Sequence, residues 1–355
     1  MKRIDRYIFR TVLATSLVSL LVLLTLETFF TLLTELEDVG KGQYGVAQMM
    51  QYLLLTLPRR AYEIFPLGLL LGGLMGMGGL ASGSELVAMR AAGVSRLRLG
   101  LSAMQVALLL SLGSLALGEY LAPWTEQTAQ EVRAAARAEG VAIRQGKGFW
   151  ARDGELFVNV RAVLPGARLS DLYVFQMDEA AQLRLVAHAD SAYYQDGRWQ
   201  LHGVKSSALG EERVQMGNAP QLAMASVISP ALIGVLAADA NDLAIRDLAT
   251  YIDYLEHNGL NADEYRLAFW LKVLGPLTNL TMLFIALPFV FAPQRSGGAG
   301  QRLLIGVLLG LLFYLANRML SNLVLLYGYP PILGACLPSL LFLGSGAVAL
   351  RRMRG

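Results

Sequence analysis

The chain has 355 residues, 55% of them hydrophobic and only 16% charged, with a net charge of +3 at pH 7. Its mean hydropathy is +0.46. Soluble domains carry about 25% charged residues, so this composition excludes an ordinary soluble enzyme and points to an integral membrane protein. A single cysteine, Cys336, excludes an internal disulfide. With it, the scattered His188, His202 and His257 argue against a zinc site.

In chain order, the N-terminus is basic (Lys2, Arg3, Arg6, Arg10), and residues 12–34 then form an apolar run with one charge, Glu27. That run exceeds a signal-peptide core and is long enough to cross a bilayer, which predicts an uncleaved first span. The second span is expected at residues 64–80. It carries Gly68, Gly72 and Gly76, a doubled G-x-x-x-G whose small residues let helices approach closely. Static packing and a sliding interface both fit that pattern.

Residues 80–98 are a polar, basic stretch between two apolar runs. Ser84 is expected to cap a short helix over 84–93, Glu85 suits the N-terminal dipole, and Gly93 is a stop signal. About two turns are too few to be stable alone, so Leu86, Val87, Met89 and Arg90 need a partner surface. The stretch reads either as an ordinary membrane loop or as a docking helix for a separate cytoplasmic protein. The third span is expected at residues 99–118.

Residues 123–263 change character. An alanine-rich helix at 126–139 extends span three, and β-formers follow, among them Phe157, Val158, Val160 and the run 172–175. Residues 183–194 and 199–204 also read as strands. Asp153-Gly154 and Asp196-Gly197 are hairpin dipeptides, and Pro165-Gly166 is a turn. No helical pattern separates these strands, so an antiparallel sheet is expected, as a sandwich or open jellyroll. Ile245, Leu248, Tyr251, Ile252 and Leu255 then recur at helical spacing. Spans four to six are expected at 273–291, 303–326 and 332–350, the last two joined by a turn at 327–331. Lys272, at the start of span four, reads as an interfacial snorkel. The predicted fold class is therefore an α-helical membrane protein of six spans with an inserted, jellyroll-like antiparallel β domain. Its boundaries fall at 1–122, 123–263 and 264–355.

Short-loop charge sets the orientation. The N-terminus, residues 81–98, residues 293–302 and the C-terminus hold twelve bases and two acids; the rest of the chain holds eighteen and twenty-five. The first group is expected in the cytoplasm and the β domain outside it.

The run 140–148 superficially resembles a phosphate loop, but it has one residue too many between its glycines and Gly148 where a magnesium-holding hydroxyl belongs. Any energised work must draw on a partner or an ion gradient. Arg59, Arg60, Arg133, Arg137 and Arg318, with Lys41, lie near the outer membrane face, where basic residues are unusual. They read either as internal salt-bridge partners, for instance of Glu27, Glu63 or Glu119, or as a ring gripping anionic head groups.

Several short motifs carry a resemblance: Asp5-Arg6-Tyr7, Phe65-Pro66, Ser84-Glu85-Leu86-Val87 with Ala92-Gly93, Gly118-Glu119 with Ala122-Pro123, and Tyr327-Gly with Pro330-Pro331. Tyr251, Tyr254-Leu255, Gly259, Tyr265, Trp270 and Lys272 add to it. In this order, from end to end, the chain resembles the lipopolysaccharide-export permeases LptF and LptG, the LptG branch more closely. The resemblance implies an inner-membrane heterodimer with an LptF-type permease and an LptB-type ATPase dimer below it. It also implies LptC and then an LptA-type periplasmic bridge above, with lipopolysaccharide as cargo. ATP and magnesium would be used by the ATPase; this chain would bind no cofactor, perform no catalysis and meet no nucleic acid. By position, Ser84, Glu85, Leu86, Met89 and Arg90 correspond to the family's coupling helix, Arg133 to an arginine near the lipid cavity, and Arg59 to a basic position. The sequence departs where the family's better-known examples have lysines near the outer end of span one. Thr31, Glu37 and Asp38 stand there, with Lys41 nearby, and Arg318 is the candidate replacement. An ion-driven transporter and an FtsX-like mechanotransmission protein are the competing readings.

Overall fold

The computed structural model describes residues 3–137, 149–164, 168–178, 182–195, 198–210, 213–225, 240–291 and 299–352. The phosphate-loop look-alike and the turn dipeptides at 165–166 and 196–197 lie outside the described residues. The chain divides into two compact units: residues 1–37, 53–127 and 263–355 in one, and residues 38–52 and 128–262 in the other.

The first unit is helical. Its elements are α1 (Arg3–Leu36), α2 (Val46–Ser82), α3 (Glu85–Ala91), α4 (Arg96–Ala116), a π-turn at Leu117–Leu121 and α5 (Ala122–Arg137). After the second unit come α7 (Asp263–Val273), α8 (Gly275–Phe291), α9 (Ala299–Leu326) and α10 (Pro331–Arg352). Among the described residues five helices are long and apolar enough to cross a membrane, and α7 with α8, bent by 53°, makes a sixth if the pair is one span. The expected second span is the C-terminal half of a much longer helix that runs through Pro58 and Pro66. The third span continues through the π-turn, where the Gly118 backbone lies against the Tyr62 ring.

Helix α2 is the central span. Added side-chain atoms at Gly68, Gly72 and Gly76 would meet Leu20, Ser16 and Thr15 of α1, while Gly73 faces Leu283 of α8. The doubled G-x-x-x-G therefore seats α1 against α2. Thr15 Oγ1 strengthens the seam by donating to the Gly72 carbonyl at 2.8 Å. Leu70, Leu74 and Met77 join Ile8, Val12, Leu99, Val106 and Leu283 in one buried core. By contrast, the apolar window of α1 has none of its residues buried, and that of α9 only 11%. Lys272 is only 9% exposed, with its Nζ 5.9 Å from the Tyr62 ring centroid. It is buried against an aromatic face.

The second unit holds β1 (Phe149–Asp153), β2 (Leu156–Leu164), β3 (Arg168–Met177), β4 (Leu183–Gln195), β5 (Arg198–Leu209) and β6 (Val214–Ala225), followed by α6 (Ile245–His257). All neighbouring pairs are antiparallel and the strand order is consecutive, an open meander over the described strands. Alternation places Val158, Val160, Leu172, Val174, Ala187, Ala189, Leu201 and Val204 in its core. Of the expected apolar stripe, Leu248, Tyr251 and Leu255 are buried in α6, and Ile245 and Ile252 are partly buried. Tyr254 on α6 ties the helix to the first strand: its hydroxyl accepts from the Arg152 amide at 3.1 Å and donates to the Arg152 carbonyl at 2.9 Å. Removing both bonds with Tyr254→Phe should cost about 1–3 kcal/mol. Faster hydrogen exchange at the Arg152 amide, with a lower melting temperature, is the expected readout.

Candidate functional site

Two sets of residues are candidates, the short helix α3 and the basic residues. Helix α3 spans Glu85–Ala91. Ser84 stands at its N-cap position with φ 60°, and its side chain makes no capping bond. This left-handed N-cap without a side-chain bond corrects the expected cap; the Ser84 carbonyl accepts from Ala88 at 3.0 Å. The C-terminus closes as expected: Gly93 has φ +86°, and its amide donates to the Arg90 carbonyl at 2.9 Å. Val94 donates to Met89 at 3.1 Å, completing a Schellman motif.

Leu86 is 3% exposed within the helical core, and Met89 packs against the same core. Both anchor α3 to its own chain, so the partner surface assigned to them in the sequence is supplied internally. Val87, 61% exposed, Ala88 and Arg90 face outward, with Glu85 half-buried at the helix start. The result is a short helix fastened by its apolar side, presenting one acid, one base and a small apolar patch.

The basic residues are mostly engaged. In the first unit, Arg59 Nε lies 3.0 Å from Glu63 Oε1, and its Nη1 lies 3.3 Å from the buried Glu126 Oε1. Arg60 reaches Glu27 at 3.5 Å, Thr56 Oγ1 at 3.2 Å and the Thr31 hydroxyl. Thr31, where the family pattern would place a lysine, thus serves as a partner of Arg60. Arg318 lies exposed on α9, among the exposed Leu315, Tyr314 and Met319, with no polar partner among the described residues.

In the second unit, Asp38 joins two cations: Lys41 Nζ at 2.7 Å from Oδ1 and Arg133 Nη2 at 3.2 Å from Oδ2. Arg133 also sits 5.0 Å above the Tyr52 ring, a cation–π contact. The Gln43 amide donates to the Ala136 carbonyl at 2.7 Å, holding this segment to α5. Arg137 ends α5, and its side chain lies outside the described residues. Among the described residues no group of three or more His, Cys, Asp or Glu is placed to hold a metal ion.

Sequence reasoning weighed salt bridges to Glu27, Glu63 or Glu119 against a head-group ring, and Glu63 and Glu27 pair with Arg59 and Arg60. It missed Glu126 and the Asp38 bridge, whose partners are distant in the chain. Glu126 is 5% exposed and Arg59 31%, and the burial that makes this carboxylate need a cation is not visible in the sequence.

Long apolar helices that flank an antiparallel sheet define a multi-pass membrane protein with an inserted β domain. The family described as lipopolysaccharide export system permease LptF/LptG matches residues 6–352. The chain is 34% identical over 342 residues to the lipopolysaccharide export system permease protein LptG of Haemophilus influenzae, covering 96% of each. It is 35% identical over 342 residues to the protein of the same name from Escherichia coli K12, covering 96% of this chain and 95% of that one. LptF of Escherichia coli K12 is 30% identical over 193 residues, about half of either chain. This chain belongs to the LptF/LptG family of lipopolysaccharide export permeases.

Proposed function

We propose that this chain is the LptG-like half of an ATP-driven lipopolysaccharide exporter. It pairs with an LptF-type permease in the inner membrane, with both termini cytoplasmic and the β domain periplasmic. An LptB-type ATPase dimer binds beneath and uses ATP and magnesium; this chain contributes no catalytic group. Lipopolysaccharide is drawn from the outer leaflet and passed by way of LptC to an LptA-type bridge. The observation that carries the reading is α3: a two-turn helix, fixed by Leu86 to the helical core, whose free side offers Glu85, Val87 and Arg90. That side fits a docking surface for a soluble partner, and the positive-inside rule puts it in the cytoplasm.

On this reading, Lys41, Arg59, Arg60, Arg133, Arg137 and Arg318 meet the lipid's phosphates. Lys41 and Arg133 pair with Asp38 and Arg59 with Glu63, so on this reading lipid exchanges with internal carboxylates there, whereas Arg318 offers its guanidinium directly. Arg133→Glu puts a second carboxylate beside Asp38 and removes a forked donor. Loss of one charge-assisted contact, about 1.5–3 kcal/mol, predicts export reduced about tenfold or more. Lipid crosslinking through a photoreactive residue at Tyr52, in complexes assembled normally, is the check; undiminished crosslinking removes Arg133 from head-group binding. Affinity purification tests the whole reading: an LptB-type ATPase should accompany the chain, and its absence would overturn it.

A further inference from the structure

One groove in the helical unit belongs to neither candidate set. Helix α4 contributes Arg96, Leu97 and Leu101 to it, α8 contributes Phe284 and Phe291, and α10 contributes Leu350. Gly100 keeps the floor low, because it has no side chain to place beside Leu287, whose Cδ1 would lie 3.2 Å from an added Cβ. The groove holds about 490 Å³ of space, partly open to the surroundings. One water's share of liquid is about 30 Å³, so there is room for a chain and not merely an ion. Every described lining residue except Arg96 is apolar. Arg96 is half-buried in the first turn of α4, and the exposed Arg351 and Arg352 follow Leu350 in the last turn of α10. Phe291 ends α8 at the same face. The lining of α4 runs from Arg96 to Met104, about 12 Å along the helix. One leaflet of hydrocarbon is about 15 Å deep.

We propose that this groove binds an anionic glycerophospholipid of the cytoplasmic leaflet. One acyl chain lies along Leu97, Leu101 and Phe284, and the phosphate meets Arg96, with Arg351 and Arg352 adding positive potential. The inference rests on the proposed orientation, which puts this end of the helices at the cytoplasmic face. Charge complementarity selects the occupant. The floor is apolar over nearly the depth of one leaflet, the rim is basic, and no acid lines the groove among the described residues. A guanidinium matches a phosphate with forked donors, and each base facing an anionic leaflet is worth about a fivefold gain in binding. A zwitterionic lipid would fill the floor but gain less from the bases, and lipopolysaccharide is drawn from the opposite leaflet.

The test uses the complete complex in phosphatidylcholine vesicles doped with phosphatidylglycerol that carries a photoreactive group on one acyl chain, with crosslinks mapped by mass spectrometry. Phosphatidylglycerol should label the lining segments of α4, α8 and α10 at least about fivefold more than phosphatidylcholine carrying the same group. Arg96→Gln should lower phosphatidylglycerol labelling about fivefold and leave phosphatidylcholine labelling unchanged. Leu101→Trp, which fills the groove, should lower labelling by both lipids. Leu109→Trp, exposed on the same helix but outside the groove, should lower neither. Equal labelling by the two lipids, or labelling unchanged in both Arg96→Gln and Leu101→Trp, overturns the site. Labelling that appears only after the ATPase is stripped away makes the groove a protein interface and overturns it too. The orientation is tested separately with Ser95→Cys in a Cys336→Ala background: an impermeant maleimide should reach the new thiol only in opened spheroplasts. Reaction in intact spheroplasts overturns the orientation and the leaflet assigned here, whatever the crosslinks show.

Discussion

Glu85→Arg should leave the permease folded and loaded with lipid but unable to use ATP for transfer. Glu85 is half-buried at the start of a helix that Leu86 holds in place, so charge reversal there leaves the core untouched. It removes the acid offered to the partner. Loss of one charge-assisted contact, about 1.5–3 kcal/mol, together with repulsion of a basic partner surface, predicts at least a tenfold fall in ATP-dependent transfer, since tenfold corresponds to about 1.4 kcal/mol. Glu85→Gln, which removes the charge without reversing it, should lose less. Transfer assays on purified complexes, with a thermal melt as folding control, make the comparison. Native transfer by Glu85→Arg would remove this residue from coupling.

The second large effect is expected at the α1–α2 seam. A side chain on Gly72 would run into the backbone and hydroxyl of Ser16, a collision that no rotamer change relieves. Overpacking typically costs about 1–3 kcal/mol, and displaced backbone places Gly72→Leu at or above the top of that range. The bond from Thr15 to the Gly72 carbonyl is lost as well. The expected result is a marked fall in melting temperature and in the yield of assembled complex. Gly79, seven residues along the same helix, has nothing within 4 Å of an added Cβ, so Gly79→Leu should be nearly neutral and serves as control. Equal behaviour of the two variants would contradict the close-packed seam.

The membrane architecture was legible because bilayer thickness demands long apolar runs, and such runs need no tertiary information to be seen. The sheet was legible because β-branched and aromatic residues alternate between turn dipeptides. Helix extents were not: α2 begins at Val46, and its first half carries Pro58, Arg59, Arg60 and Glu63, a composition that reads as a loop until Glu126, Thr31 and Glu27 are in place to receive the charges. The positive φ of Ser84 was equally hidden, because serine at a helix start suggests a cap whose backbone conformation the sequence does not encode locally. Leu86 and Met89 looked like a partner-seeking face because an isolated two-turn helix shows its apolar side but not the core that covers it. The partner of Asp5 was unreadable for the same reason: Arg98, which donates to it, is 93 residues away in the chain.

One experiment addresses the central claim, that α3 receives the work of a separate ATPase and the permease spends it on moving lipopolysaccharide. The complete complex is reconstituted in vesicles loaded with lipopolysaccharide, and transfer to an external LptA-type acceptor is followed with and without ATP. The account predicts transfer that requires both ATP and the ATPase, and that is lost when Glu85→Arg separates the two. Transfer that continues without the ATPase, driven by an ion gradient alone, would contradict it.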